Sequence, residues 1–212
     1  LKGQLTAGIS INFISAGTKG GGCDQVKELV NDLNRHGNHS VYGIIDWDAR
    51  HSSTEHIIVL GEWRRHSVEN YLYDPVLISS LLVREKFVQR AEVGLTDAET
   101  YTDISRFDAS RLQALSDFVV NKLARRCNNP AANNLVAIEY IGGESVVVPS
   151  WYLTMRGHDL EDGLKVVFPE LKRYQREPEL KREVLNKVID DLPGLISSDI
   201  LSILRRIQGV RS

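Results

Sequence analysis

This chain of 212 residues has little of several things that would classify it at once. Two cysteines, Cys23 and Cys127, are too few for a disulfide framework and too far apart for a short-spaced zinc motif. No apolar run approaches the ~18 residues that a membrane-crossing helix needs. The N-terminus lacks the charged flank and apolar core of a signal peptide. A cytoplasmic protein with no membrane partner is the expectation. Charge of one sign is also missing: 26 Lys plus Arg against 28 Asp plus Glu leave a net charge of -2. That balance excludes the simplest electrostatic argument for a nucleic-acid binder. It does not exclude a nuclease, whose metal-binding carboxylates offset basic residues in the same sum. Neither the P-loop order nor G-x-G-x-x-G occurs, which removes nucleotide binding by those motifs. What is there is an ordinary globular composition, 42% apolar and 25% charged, long enough to bury roughly 70% of its extended surface.

Periodicity gives the outline. Residues 9–16, rich in β-branched and aromatic side chains, predict a strand that ends at G-T-K-G-G-G. Val26, Leu29, Val30 and Leu33 return at three- and four-residue spacing and predict a helix over residues 24–34. Residues 41–46 and 57–60 read as short buried strands. This order favours an α/β sheet. Residues 67–82 predict helix, interrupted at Pro75, and residues 91–108 a loop. A firmer helix follows over 110–123, then a hairpin from 135–140 and 145–149. Three helices, 160–168, 179–192 and 198–207, are punctuated by Pro169, Pro178 and Pro193. The expected organisation is an incomplete α/β unit over residues 1–82, followed by a mainly helical region with a small β-hairpin over 83–212.

The chemistry-bearing pattern is D-W-D. Strand alternation sets Asp46 and Asp48 on one side of an extended segment, at the strand end where α/β sheets bind ligands. Two adjacent carboxylates repel unless a cation neutralises them, and hard Mg²⁺ suits such a pair. Glu69, at a helix entrance after Ser67, is the next acidic candidate. Ser67 is placed to cap that helix or to hold a water or carboxylate beside the site. Arg64 and Arg65 precede that element and can approach a backbone phosphate. Lys19 in the glycine-rich turn is a further phosphate candidate. The six Lys or Arg from Lys172 to Lys187 read as a solvated helix face. Cys23 reads as a small buried residue at a helix start, His51 as a loop histidine, and Trp151 with Tyr152 as core packing.

The run V-Y-G-I-I-D-W-D, followed by I-I-V-L and H-S-V-E-N-Y-L, resembles the TOPRIM (topoisomerase–primase) domain of OLD-like nucleases. It is close to the small nucleases encoded beside ABC-type ATPases in bacterial antiphage systems. The similarity covers about residues 9–82, with a less specific likeness in W-Y-L-T-M-R-G-H-D-L-E. It implies a TOPRIM-like Rossmannoid parallel sheet and a divalent-metal-dependent endonuclease acting on DNA or RNA. Asp46, Asp48 and Glu69 would hold Mg²⁺ or Mn²⁺, with Ser67 matching the S-x-E element and an ATPase subunit in control. The chain departs from the family at its start, where a strand-Glu-Gly element is absent. The sheet is therefore expected to be N-terminally incomplete, its missing strand upstream of Leu1, and an exposed edge would call for a partner or another copy of the chain. The family's later lysine falls on Lys122 or Lys165. Two other readings stay open: a noncatalytic TOPRIM-like binding subunit, and a primase- or topoisomerase-like phosphoryl-transfer protein.

Overall fold

The structure is a computed structural model, described here at residues 5, 10–14, 22–127, 134–176 and 178–209. In chain order it runs α1 (Cys23–Arg35), β1 (Gly43–Asp46), β2 (Ile57–Leu60), α2 (Glu69–Leu72) and α3 (Pro75–Arg84). Then come α4 (Ala109–Cys127), β3 (Leu135–Glu139), β4 (Ser145–Pro149), α5 (Ser150–Thr154), α6 (Gly157–Val167), α7 (Glu179–Glu183) and α8 (Ser198–Ile207). The architecture is mixed α/β. It divides into two compact units, one of Leu1–Val68 with Asp199–Ser212 and one of Glu69–Ser198.

The first unit is built on a parallel pair. β1 and β2 align Gly43 with Ile57 and Asp46 with Leu60. All four β2 side chains are buried, which suits a continuous apolar run in a parallel sheet. α1 covers the pair through Val26 and Val30, and Gly43 makes the close approach possible. A Cβ on Gly43 would stand 2.8 Å from Ile57 Cδ1 and 2.8 Å from Val26 Cγ1. Val30, Ile45, Trp47, Ile57 and Val59 form this unit's core. Leu29, expected on the buried helix face, is exposed. The strand predicted over 9–16 does not form in its described part: residues 10–14 join no sheet, and Phe13 and Ile14 are exposed.

The second unit holds most of the apolar core. α3 buries every residue from Pro75 to Val83, so it needs neighbours on all sides and belongs here. That is why the chain divides at Val68, with the expected boundary near residue 82 falling inside a packed helix. Asp74 starts α3 by accepting the Val76 N–H at 3.0 Å, and Pro75 sits at the first helical position. The same Asp74 oxygen accepts the Tyr140 hydroxyl at 2.9 Å. α4 and the antiparallel hairpin of β3 and β4 complete the core with α6. The expected loop over 91–108 contains two 3₁₀ turns, Arg90–Val93 and Tyr101–Arg106. α7 continues into a π-helical stretch, Val184–Ile189, and buries Leu180, Val184 and Val188. The basic run is therefore not a wholly solvated face. Tyr152 is fully buried and donates to the Tyr73 carbonyl at 2.7 Å, the core role expected of it.

Candidate metal centre

The acidic motif lies in the first unit, at the carboxyl end of the parallel pair. β1 ends at Asp46, whose Oδ1 accepts the Val68 backbone N–H at 2.7 Å. The alternation expected to carry on to Asp48 stops there. Asp48 (φ 49°) and Ala49 (φ 55°) are both left-handed, a conformation that L residues rarely hold in succession. The Arg50 and His51 N–H groups turn back to the Trp47 carbonyl at 3.0 and 3.1 Å. The Asp48 N–H is fixed by the His66 carbonyl at 2.9 Å. Asp48 is thus presented by a strained turn rather than by an extended strand.

That turn folds the loop back toward the first turn of α1. An Asp48 carboxylate oxygen, the Cys23 Sγ and a His51 ring nitrogen all lie within 4.8 Å of one another, each residue partly buried. Among the described residues this is the one group of three or more His, Cys, Asp or Glu donors close enough to share an ion.

The electrostatics are local. Asp48 has Arg50 at 3.5 Å and His66 at 3.6 Å. The Cys23 thiol is pushed above its ordinary range, first by burial and then by the negative charges of Asp48 and Asp46. His51 is pushed down by burial, and further by Lys27 and Arg50. Lys27, one helical turn after Cys23, places its Nζ 3.0 Å from His51 Nδ1. His51 Nε2 is buried with no hydrogen-bond partner among the described residues.

This donor set does not match a Mg²⁺ cage. Mg²⁺ takes oxygen ligands in a near-octahedral shell, whereas the group offers one oxygen, one sulfur and one nitrogen. One Asp46 oxygen is already engaged by an amide.

The other predicted residues are distributed as follows. Arg64 donates to Asp199 at 3.1 Å, and Arg65, 1% exposed, is buried with its Nε 3.9 Å from the same carboxylate. Ser67 is buried. Lys19 lies outside the described residues. Glu69 begins the second unit, where it meets Lys181 at 2.5 Å. Gly157 makes room for it: a Cβ there would come within 2.7 Å of the Glu69 Cβ and Cγ. Lys122 lies over the Phe118 ring at 4.6 Å, and Lys165 pairs with Glu161 at 2.6 Å.

Sequence reasoning missed Cys23 and His51 as members of the donor group, and Lys181 as the partner of Glu69. The signals were present but faint. Cys23 and Lys27 share a helix face at i,i+4, and His51 follows Asp48 by three. Trp63, too, gives no sign in the sequence: it is 74% exposed at φ 63°, with its ring 5.5 Å from that of Trp47. No protein-family profile, no curated protein and no solved structure matches this chain.

Proposed function

We propose that the protein is a divalent-metal-dependent nuclease that hydrolyses phosphodiester bonds in DNA or RNA. The observation that carries the reading is the placement of two carboxylates, Asp46 at the carboxyl end of the β1–β2 pair and Asp48 in the turn that follows it. Ligands favour that end of a parallel sheet, and a bound divalent ion there would supply charge neutralisation at a phosphate. The roles of this chain's own residues follow from their chemistry. Asp46 and Asp48 supply anionic oxygens to an ion, Mg²⁺ or Mn²⁺ on the TOPRIM resemblance. Arg50, with its side chain 67% exposed beside Asp48, can exchange a carboxylate for a backbone phosphate. On the TOPRIM resemblance alone, Ser67 and Glu69 are the S-x-E element. Control by an ABC-type ATPase and a role against phage belong to the same proposal.

A second reading, a noncatalytic binding subunit, is favoured by the Asp46–Val68 hydrogen bond, which gives Asp46 a structural task. The two separate in one experiment. Cleavage of single-stranded DNA, duplex DNA and structured RNA is followed with Mg²⁺ or Mn²⁺, with and without the proposed ABC-type ATPase partner. Asp48→Asn should lower cleavage by about 100-fold or more, the scale of a lost electrostatic stabiliser. Full cleavage by a folded Asp46→Asn/Asp48→Asn double variant would refute the nuclease site.

A further inference from the structure

We propose that Cys23, Asp48 and His51 form a site for a borderline divalent ion of the zinc class, bound through thiolate, carboxylate and imidazole. The inference does not rest on the nuclease reading, because ion binding is measured without activity.

The donor chemistry selects the ion. Thiolate and imidazole suit zinc and its neighbours and are poor ligands for Mg²⁺. The Cys23 thiol loses its proton to solvent as the ion binds, and thiolate and carboxylate together then carry two negative charges, which match a dication. Three protein donors is also the number found in zinc sites that leave a position for water or substrate. The geometry is close to what is required. Donors on one tetrahedral ion stand ~3.5 Å apart, so a group within 4.8 Å closes with small side-chain rotations.

Each donor is held by a different constraint. Cys23 stands in the first turn of α1, which is anchored on the sheet by Val30. Asp48 is held by the strained left-handed turn and its bond to His66. His51 closes the same turn through its N–H bond to Trp47. The buried, unsatisfied His51 Nε2 is a nitrogen that a ligand or an ion would satisfy.

Lys27 is the opposing group. Its ammonium, 3.0 Å from His51 Nδ1, donates to that nitrogen, which leaves the ring proton on Nε2 where it blocks an ion, and its charge repels a cation. Ion binding therefore requires Lys27 to release the ring. Replacing it by a neutral side chain should tighten binding.

The experiment is Co²⁺ titration of the full chain, read by absorption. Expected are visible bands of a low-coordinate cobalt site and a near-ultraviolet thiolate-to-cobalt transition, both removed stoichiometrically by Zn²⁺ and unaffected by excess Mg²⁺. Cys23→Ser should abolish the thiolate transition, while Cys127→Ser leaves it. His51→Gln should weaken Co²⁺ binding by more than the ~10–100-fold that loss of an outer-shell contact costs. Lys27→Gln should tighten it several-fold. Circular dichroism checks that each variant is folded, and His51→Gln decides the matter if Cys23→Ser is not. Absence of the thiolate transition from the folded wild type, its survival in Cys23→Ser, or displacement of Co²⁺ by Mg²⁺ overturns the proposal. A site that binds Zn²⁺ in a protein that cleaves nothing leaves this inference standing and removes the nuclease reading alone.

Discussion

The two units spend their sequence differently. The second gathers aliphatic and aromatic side chains from α3, α4, the β3–β4 hairpin, α6 and α7 into one large core. The first buries fewer apolar side chains, with Val30, Ile45, Trp47, Ile57 and Val59 clustered, and beside them keeps a thiol, two carboxylates and several histidines in partly buried positions. Polar groups held away from water cost stability unless partnered. The contrast teaches that the candidate chemistry sits in the unit with less apolar burial to offset it. The strained turn at Asp48 adds to that cost.

The largest expected effect tests the heavier core. Leu115 is fully buried in α4, so Leu115→Ala should cost ~2–5 kcal/mol, the range for cavity-forming core truncations. If the units are energetically separate, urea unfolding followed by far-ultraviolet circular dichroism will show that loss in the second unit. In a Trp151→Phe background, used for both tests because Trp151 lies in the second unit, the emission of Trp47 and Trp63 in the first unit should keep its midpoint. Coincident shifts in both signals would break the comparison.

Gly43→Ala is the reciprocal probe. The added methyl meets Ile57 and Val26, and overpacking of this kind costs ~1–3 kcal/mol. Tryptophan emission should report the earlier unfolding, and Co²⁺ affinity should fall with it because α1 carries Cys23. An unchanged midpoint would mean that α1 is not held as tightly as the structure describes.

The smallest effect is a pH dependence in the second unit. Arg111 grips Glu99 with both nitrogens, at 2.5 and 2.9 Å, and with the Thr96 amide holds its carboxyl down to about 2. A carboxyl lowered in the folded state stabilises it fully above the ordinary value near 4.5, and that contribution drains as pH falls toward 2. Between pH 7 and pH 3 the wild type should therefore lose more urea stability than Glu99→Gln. Equal losses in the two proteins would remove Glu99 as the titrating group.

Much of the fold was legible because it depends on local pattern. The α1, α4 and α8 periodicities, the short strands at β1 and β2 and the β3–β4 hairpin all stand where the sequence places them. The break before Pro75 is the Asp74 cap. The first expected strand failed among its described residues because β-propensity forms a strand only where a neighbour supplies the ladder. At the site, Asp46 and Asp48 were legible as a motif. Their shared extended geometry was not, since nothing in D-W-D-A announces two left-handed residues in a row. Arg65 illustrates the same limit: its charge suggests exposure, yet tertiary packing buries it.

By itself the sequence determined where most of the helices and strands form, that the chain has no apolar segment fit to cross a bilayer as a helix, and that a carboxylate pair stands at the end of β1. Those properties follow from the spacing of residue types along a few turns or strand lengths. Only the tertiary structure decided which side chains meet. It brought Cys23 to Asp48 and His51, and Lys181 to Glu69 across 112 positions of chain. Such pairings depend on how a turn folds and how closely α1 approaches β1 over Gly43. Backbone strain and close packing set those, and neither has a local signature in the order of residues.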